Sequence, residues 1–428
     1  MTCEIVVANR LGLALAADSA VTFNGQNGYT YASGANKIFQ LANAEPVAIM
    51  IYNGASLHTM PWEILIKAYR RQLGQRGFST LIEYRDDFLR FLNDRNTPSI
   101  SKEMRTLAAR RIYGHCAGQL YGILESQEPS LFDPSLPPAD HLAAYTRVSN
   151  NLDTALNNAS IHPTLNANDL VRALASESDP LSVQIEAHIQ EKASHLAAIV
   201  DARRLADQAV NAAFKLGEPL LSEGHTGLVI AGYGRDDYMP SFLSLHCYGL
   251  IGDRMLWSAQ AQGDINHGIT ASLIQGFARQ SMIETFTQGA SLEVWQTVGQ
   301  EFSRHAAEAC RQAAAAANVV IPPHAIEQAV SDASTSFNKQ WAYSTFESHL
   351  RPLRQVVAGL ALEELAELAE NLVMLESLKE KVTHRTQSVG GPVDLAVITK
   401  EEGLVWIKRK HYFDPKLNQR YMNRLQNH

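Results

Sequence analysis

Two rhythms of apolar residues divide this chain. Short, nearly continuous apolar runs occupy residues 3–9 (CEIVVAN) and 11–18 (LGLALAAD), joined at Asn9-Arg10, which reads as a strand pair about a tight turn. Residues 36–42 (NKIFQLA) and 46–52 (PVAIMIY) repeat the pattern around a turn at Asn43 to Glu45. Further strands are expected over 226–233, 241–248 and 254–260, and a closing pair over 392–399 and 404–409 around Glu401-Glu402-Gly403. Connections this short make antiparallel sheet, and apolar runs without polar alternation imply strands covered on both faces.

Helical spacing governs two long blocks, from about 60 to 221 and from about 267 to 382. Proline-containing breaks punctuate them at Asn96-Thr97-Pro98, over 129–138 and at Ile321-Pro322-Pro323. The last helix carries Leu362, Leu365, Leu368, Leu372, Leu375 and Leu378 as one stripe, expected to be buried with glutamates opposite. The order sheet, helices, sheet, helices, sheet predicts an α+β fold. Two antiparallel sheets would pack face to face with helices outside, the helical blocks being insertions into one discontinuous domain. An α+β core with a separate helical domain over 97–221 is the alternative reading.

Composition narrows the function classes. The chain has 428 residues, 46% of them hydrophobic, with a net charge of −7 and no basic stripe, which argues against nucleic acid as a partner. No apolar run reaches the length of a membrane span, and Glu4 and Arg10 interrupt the apolar N-terminus, so neither a membrane partner nor a signal peptide is expected. Cys3, Cys116, Cys247 and Cys310 are widely spaced, which suggests reduced thiols in a cytoplasmic protein and no zinc site. His188 and His195 flank Glu191 at a spacing that fits no zincin, and Gly232-Tyr233-Gly234 lacks the third glycine of a dinucleotide loop. The alanine-rich 306–317 reads as a close helix contact.

The candidate chemistry lies at the N-terminus. Thr2 follows Met1, and removal of Met1 would expose a hydroxyl nucleophile beside its own α-amine, a base with an ordinary pKa of about 7.7–8.0. Asp18 closes the second expected strand and Lys37 opens the third. A lysine ammonium favours the ionised hydroxyl, and a carboxylate holds that lysine charged. Cys3 cannot replace Thr2, because its amine stays acylated.

The stretch TCEIVVANRLGLALAADSAVTF, with NKIFQL and VAIMIYNGAS after it, resembles the opening of a proteasome β-type subunit. LVIAGYGRDDYMPSFLSLHCYG is similar to that family's central hairpin and VGGPVDLAVITKEEGLVWI to its last two strands, the latter closest to divergent bacterial relatives. The resemblance implies a four-layer αββα sandwich of the N-terminal-nucleophile hydrolases, with large helical insertions. Its core would comprise 1–58, 226–290 and 383–410, with a helical insertion over 59–225, a second with a core helix over 291–382, and a tail over 411–428. It places the nucleophile on Thr2, the lysine-orienting acid on Asp18 and the pKa-lowering lysine on Lys37. The Thr2–Asp18 spacing agrees with the family, whereas the Asp18–Lys37 loop is a few residues longer.

Further site residues follow from the same resemblance. A substrate-strand clamp falls on Thr22, an oxyanion-hole amide on Asn53-Gly54, pocket residues on Val21 and Ala55, and a supporting shell on Ser19. The family's Gly-Ser-Gly turn is replaced by Ala261-Gln262-Gly263-Asp264, so Gln262 or Asp264 would stand in for its serine. Its late Asp and Ser fall on Thr386 and Val389. Implied are a threonine peptidase without metal or organic cofactor, a peptide or protein substrate, assembly into a ring or coiled homo-oligomer, and an ATP-dependent unfoldase partner. An inactive assembly protein and a small-molecule amidase on the same fold are the competing readings.

Overall fold

The computed structural model describes residues 2–25, 28–95, 100–266, 270–383, 389–410, 413–420 and 423. The break expected at Asn96-Thr97-Pro98 and the position Thr386 lie outside them. The chain opens with β1 (Cys3–Asn9), β2 (Gly12–Ala17), β3 (Ala20–Gly25), β4 (Gly28–Ser33), β5 (Ile38–Gln40), β6 (Val47–Tyr52), β7 (Ser56–Leu57) and β8 (Met60–Pro61). Helices α1 (Trp62–Leu73), α2 (Leu81–Asn93), α3 (Lys102–Gln127), α4 (Pro138–Asn158), α5 (Ala167–Lys192), α6 (Ala202–Lys215) and α7 (Gly217–Leu220) follow. Next come β9 (Thr226–Gly232), β10 (Ser241–Ile251), β11 (Arg254–Asp264) and β12 (Ser272–Ala278). The chain ends with α8 (Ser281–Gln288), α9 (Leu292–Ala316), α10 (Pro323–Thr345), α11 (Arg351–Val357), α12 (Leu362–Thr383), β13 (Asp394–Thr399) and β14 (Gly403–Lys408).

Two five-stranded sheets form, in the orders β12-β1-β2-β13-β14 and β11-β10-β9-β6-β5, with antiparallel pairing throughout. Alternate residues of β1 and β2 point in opposite directions. Val6, Ala8, Leu13 and Leu15 meet Ala48, Met50, Val229 and Phe242 of the other sheet. Ile5, Val7, Ala14 and Ala16 meet Leu365, Ala369 and Val373 of α12 instead. On the far side of the second sheet, Ile49, Leu228 and Leu245 pack against Trp62, Leu65 and Phe88 of α1 and α2. Burial on both faces explains why the first strands read as unbroken apolar runs, each fully buried Leu, Ile or Val contributing about 1.5–3 kcal/mol.

Several expectations change. The helical block expected from about 267 begins with a strand, β12, which pairs with β1 along its whole length. The polar Ser272 and Gln275 broke the apolar run in the sequence, yet Ser272 is buried and its Oγ donates to Arg354 O at 2.7 Å. β11 extends through Ala261-Gln262-Gly263-Asp264, which pair with β10 instead of turning.

The stripe on α12 also rotates. Leu378 is exposed, whereas Glu376 and Glu380 lie on the buried face. Glu376 is held there by Ser281 Oγ at 2.9 Å and Met282 N at 2.7 Å, a carboxylate at the N-terminus of α8.

The helices of the first block do not all pack alike. α1 and α2 cover the second sheet, while α3 to α6 build their own core joined to it through Tyr248, Ile251 and Leu256. In the second block, α9 and α10 form an antiparallel pair in which no residue is buried. Stacked rings tie the two helices, Trp295 on Trp341 at 4.2 Å and Phe302 on Phe337 at 4.4 Å. Most of the alanine-rich 306–317 faces outward there. Among the described residues no helix is long and apolar enough to cross a membrane, and no group of three potential ligands, His188 and His195 included, could hold a metal ion.

Candidate active site

β1 is central in its sheet, so its first residues are held from both sides. Glu4 pairs with Ala17 on β2, and Cys3 with Ala278 on β12. Beyond the last pair, Arg279 N donates to Thr2 O at 2.9 Å and Asp18 N to Cys3 O at 3.1 Å. Thr2 is therefore clamped between two strand ends and is 5% exposed.

Asp18 is a hub. Its Oδ1 accepts from Cys3 N at 3.0 Å and from Lys37 Nζ, and its Oδ2 from Ala20 N at 3.2 Å and Gly390 N at 2.8 Å. Gly391, at φ 78°, lets the chain turn there before β13. Lys37 comes from the other sheet, where Ile51 N donates to its carbonyl at 2.9 Å. The Lys37 side chain thus crosses the inter-sheet layer to reach Asp18, with both groups buried. Thr2 and Lys37 line one cleft, and Asp18 holds Lys37 there.

One participant was missed. Glu4, fully buried, accepts from Thr2 Oγ1 at 3.1 Å through Oε2 and lies 3.3 Å from Lys37 Nζ through Oε1. That second contact is ionic only, because Oε1 receives no well-aligned hydrogen bond. Burial pushes the Glu4 carboxyl up to about 8, against the opposing pull of the Lys37 ammonium, and the Asp18 charge adds to the rise. The signal was in the sequence: a lone carboxylate within CEIVVAN, where every other neighbour is apolar or small, has to be satisfied inside the protein.

Opposite Thr2, the β6 strand ends in a bend that presents Asn53 N to Thr2 Oγ1 at 3.4 Å. Asn53 adopts φ 61°, a left-handed conformation that asparagine tolerates better than most residues. The amide of Gly54 is turned away, donating to Tyr52 O at 2.9 Å. Gly54 is nonetheless required, since a Cβ there would sit 2.2 Å from Thr226 Oγ1. The Asn53 side chain pairs with His225 Nε2 at 2.9 Å, His225 stacks on His246 at 3.7 Å, and His246 Nε2 meets Tyr52 Oη at 3.0 Å. Burial, then the neighbouring His225, lowers His246 to about 4, and burial lowers His225 as well. The network is therefore neutral near pH 7.

Thr2, Val21, Lys37, Asn53, Gly54 and Ala55 line a cleft of about 40 Å³. Larger cavities of about 460 and 650 Å³ lie beside Arg105 and Asp169, and in the groove between α9 and α10.

The expected supporting shell is not assembled around Thr2. Ser19 is buried and donates to Pro392 O at 2.7 Å, fixing the Gly390 turn. Gln262 and Asp264 are exposed on β11, and among the described residues no hydrogen bond joins them or Gly263 to Thr2. Thr22 pairs with Tyr31 on the β3–β4 hairpin. Val389 is buried, without a hydroxyl to offer.

No protein-family model matches this chain, and no curated protein matches it. Among solved structures the chain is similar to one titled "Anbu (Gly-1) mutant from Hyphomicrobium sp. strain MC1", at 8% identity and a TM-score of 0.28. The match covers 100% of this chain and 96% of that one. Likeness at that level leaves the fold to be read from the strand pairing itself.

Proposed function

We propose that this chain is a threonine-type N-terminal-nucleophile hydrolase of amide bonds, built on the four-layer αββα sandwich of proteasome β-type subunits. One observation carries the reading. The Asn53 amide reaches the hydroxyl of Thr2 from the opposite sheet, across 51 residues of chain, and Lys37, held by the buried Asp18, lines the same cleft through a side chain that crosses the core. The helix–sheet–sheet–helix packing supports the fold half of the proposal.

In this reading Met1 is removed, and Thr2 Oγ attacks the scissile carbonyl while the freed α-amine acts as base. The Lys37 ammonium lowers the cost of alkoxide formation and Asp18 holds it in place. The Asn53 amide turns from Thr2 Oγ to the developing oxyanion, a donor of the kind worth about 10²–10³ in rate. Water then hydrolyses the acyl-enzyme. A peptide substrate, a ring or coiled homo-oligomer, an unfoldase partner and the three-segment core with helical insertions belong to the same proposal.

A second reading rests on the exposure of Gln262 and Asp264, which leaves the Thr2 amine without the family's serine. It makes the chain an inactive assembly protein. One experiment separates them. Intact mass establishes loss of Met1, and a β-lactone probe is then mapped by peptide sequencing. Labelling of Thr2 is the expected result; protein lacking Met1 that takes no label at Thr2 would establish the inactive reading.

A further inference from the structure

Glu4 stands in the site without a part in the reaction just described. Its Oε2 is within hydrogen-bond reach of Thr2 Oγ1, at 3.1 Å, and its Oε1 is 3.3 Å from Lys37 Nζ. The side chain has no solvent contact, so the only exchangeable proton it can share on the substrate side is the one on Thr2 Oγ. Building on the hydrolase reading, we propose that Glu4 is a catalytic residue, the general base and acid for the Thr2 hydroxyl, and that the Thr2 α-amine serves the leaving group and water instead.

The steps balance. Glu4 begins as the carboxylate and the Thr2 amine as the ammonium. As Oγ bonds to the carbonyl carbon, the O–H bond breaks and its proton passes to Glu4 Oε2. The tetrahedral intermediate collapses with cleavage of the C–N bond, and the ammonium gives a proton to the departing amine, becoming the free amine. In the second half that amine takes a proton from the attacking water. The acyl–Oγ bond breaks, and Glu4 returns its proton to Oγ. Both carriers end as they began, and no outside acid or base is consumed.

The surroundings suit this division of labour. Facing Glu4 are Lys37, Asp18 and Thr2, with Cys3 and Tyr52 within electrostatic reach. Burial and the Asp18 charge make Glu4 hold a proton well above the ordinary carboxyl range, up to about 8, which suits a base required to take a proton from a hydroxyl. Release of Met1 would place a cation beside it and favour the carboxylate needed at the start. The arrangement also accounts for the absence of the serine, because a proton carrier already sits beneath the nucleophile.

The test compares wild type with Glu4→Gln, an isosteric and permanently uncharged replacement, in protein shown by intact mass to lack Met1. A β-lactone probe is used, and the rate of adduct formation on Thr2 is followed from pH 6 to 9.5. Labelling by Glu4→Gln is expected to be about 10²–10⁴-fold slower. The ratio of wild-type to variant rates should rise with pH and level off once Glu4 is ionised. A ratio that is near one, or lowered but flat with pH, would overturn the proposal while leaving Thr2 as nucleophile. Wild-type protein that lacks Met1 and takes no label would instead defeat the hydrolase reading. Should Glu4→Gln fail to fold, Glu4→Asp takes its place, because its shorter carboxylate cannot span the 3.1 Å contact to Thr2 Oγ1. Labelling of Glu4→Asp at the wild-type rate would overturn the proposal.

Discussion

The Asp18 carboxylate accepts the amide of Gly390 at 2.8 Å, across 372 residues of chain. The same group accepts the amides of Cys3 and Ala20 and holds Lys37, so it closes the loop between β1, β2 and the turn before β13. Asp18→Asn would place an amide NH₂ against one of those donors and leave the buried Lys37 with only its longer contact to Glu4. Loss of about 3–5 kcal/mol of unfolding free energy is expected, the scale of breaking a buried pair. Urea unfolding within about 0.5 kcal/mol of wild type would show that Asp18 does not hold this turn together.

Gly54 and Thr226 form a testable pair. A Cβ on residue 54 meets Thr226 Oγ1 at 2.2 Å but Thr226 Cβ at 3.3 Å, so the hydroxyl makes the conflict. Gly54→Ala alone should be destabilising, and combining it with Thr226→Ala should recover most of the loss. A double-mutant cycle is expected to give a coupling of about 1–3 kcal/mol. Additive effects would mean that the strand shifts to accommodate the methyl group.

His225 supports Asn53 from outside the cleft, at 2.9 Å from its side-chain amide. His225→Ala should leave the fold intact yet loosen the left-handed Asn53, whose amide faces Thr2. β-Lactone labelling of Thr2 is expected to slow by about tenfold, less than the roughly 10²–10³ lost when such a donor is removed outright, with the melting temperature nearly unchanged. Unaltered labelling would remove Asn53 from the proposed oxyanion site.

Glu4 also predicts a pH dependence of stability. Its pKa rises from an unfolded value of 4.5 to about 8, so between these values the folded chain binds the extra proton. The resulting stabilisation of the folded state is fully present below pH 4.5 and is lost as pH rises through 8. The shift from 4.5 to about 8 corresponds to at most about 5 kcal/mol. Glu4→Gln lacks this term, so its stability relative to wild type should grow from pH 5 to pH 8.5 in denaturant titrations. A constant difference over that range would show that Glu4 does not hold a raised pKa.

The sequence by itself determined the strands that are buried on both faces, because β1, β2, β6 and β9 need unbroken apolar runs and short turns to form at all. It also marked Thr2, Asp18 and Lys37, whose residue types and positions at strand ends are local properties. What pairs with those strands was not local. Ser272 helps conceal β12 because its hydroxyl is satisfied by Arg354 O, distant in the chain, and Glu376 faces inward on α12 because α8 offers it two donors. Only tertiary packing decided which amide meets Thr2, Asn53 rather than Gly54, whose N–H turns back to Tyr52 O. Packing likewise decided that Gln262 faces solvent while Glu4 faces the nucleophile. A strand alternates its side chains with every residue, and only the layers stacked on either side turn one face into a site and the other into core.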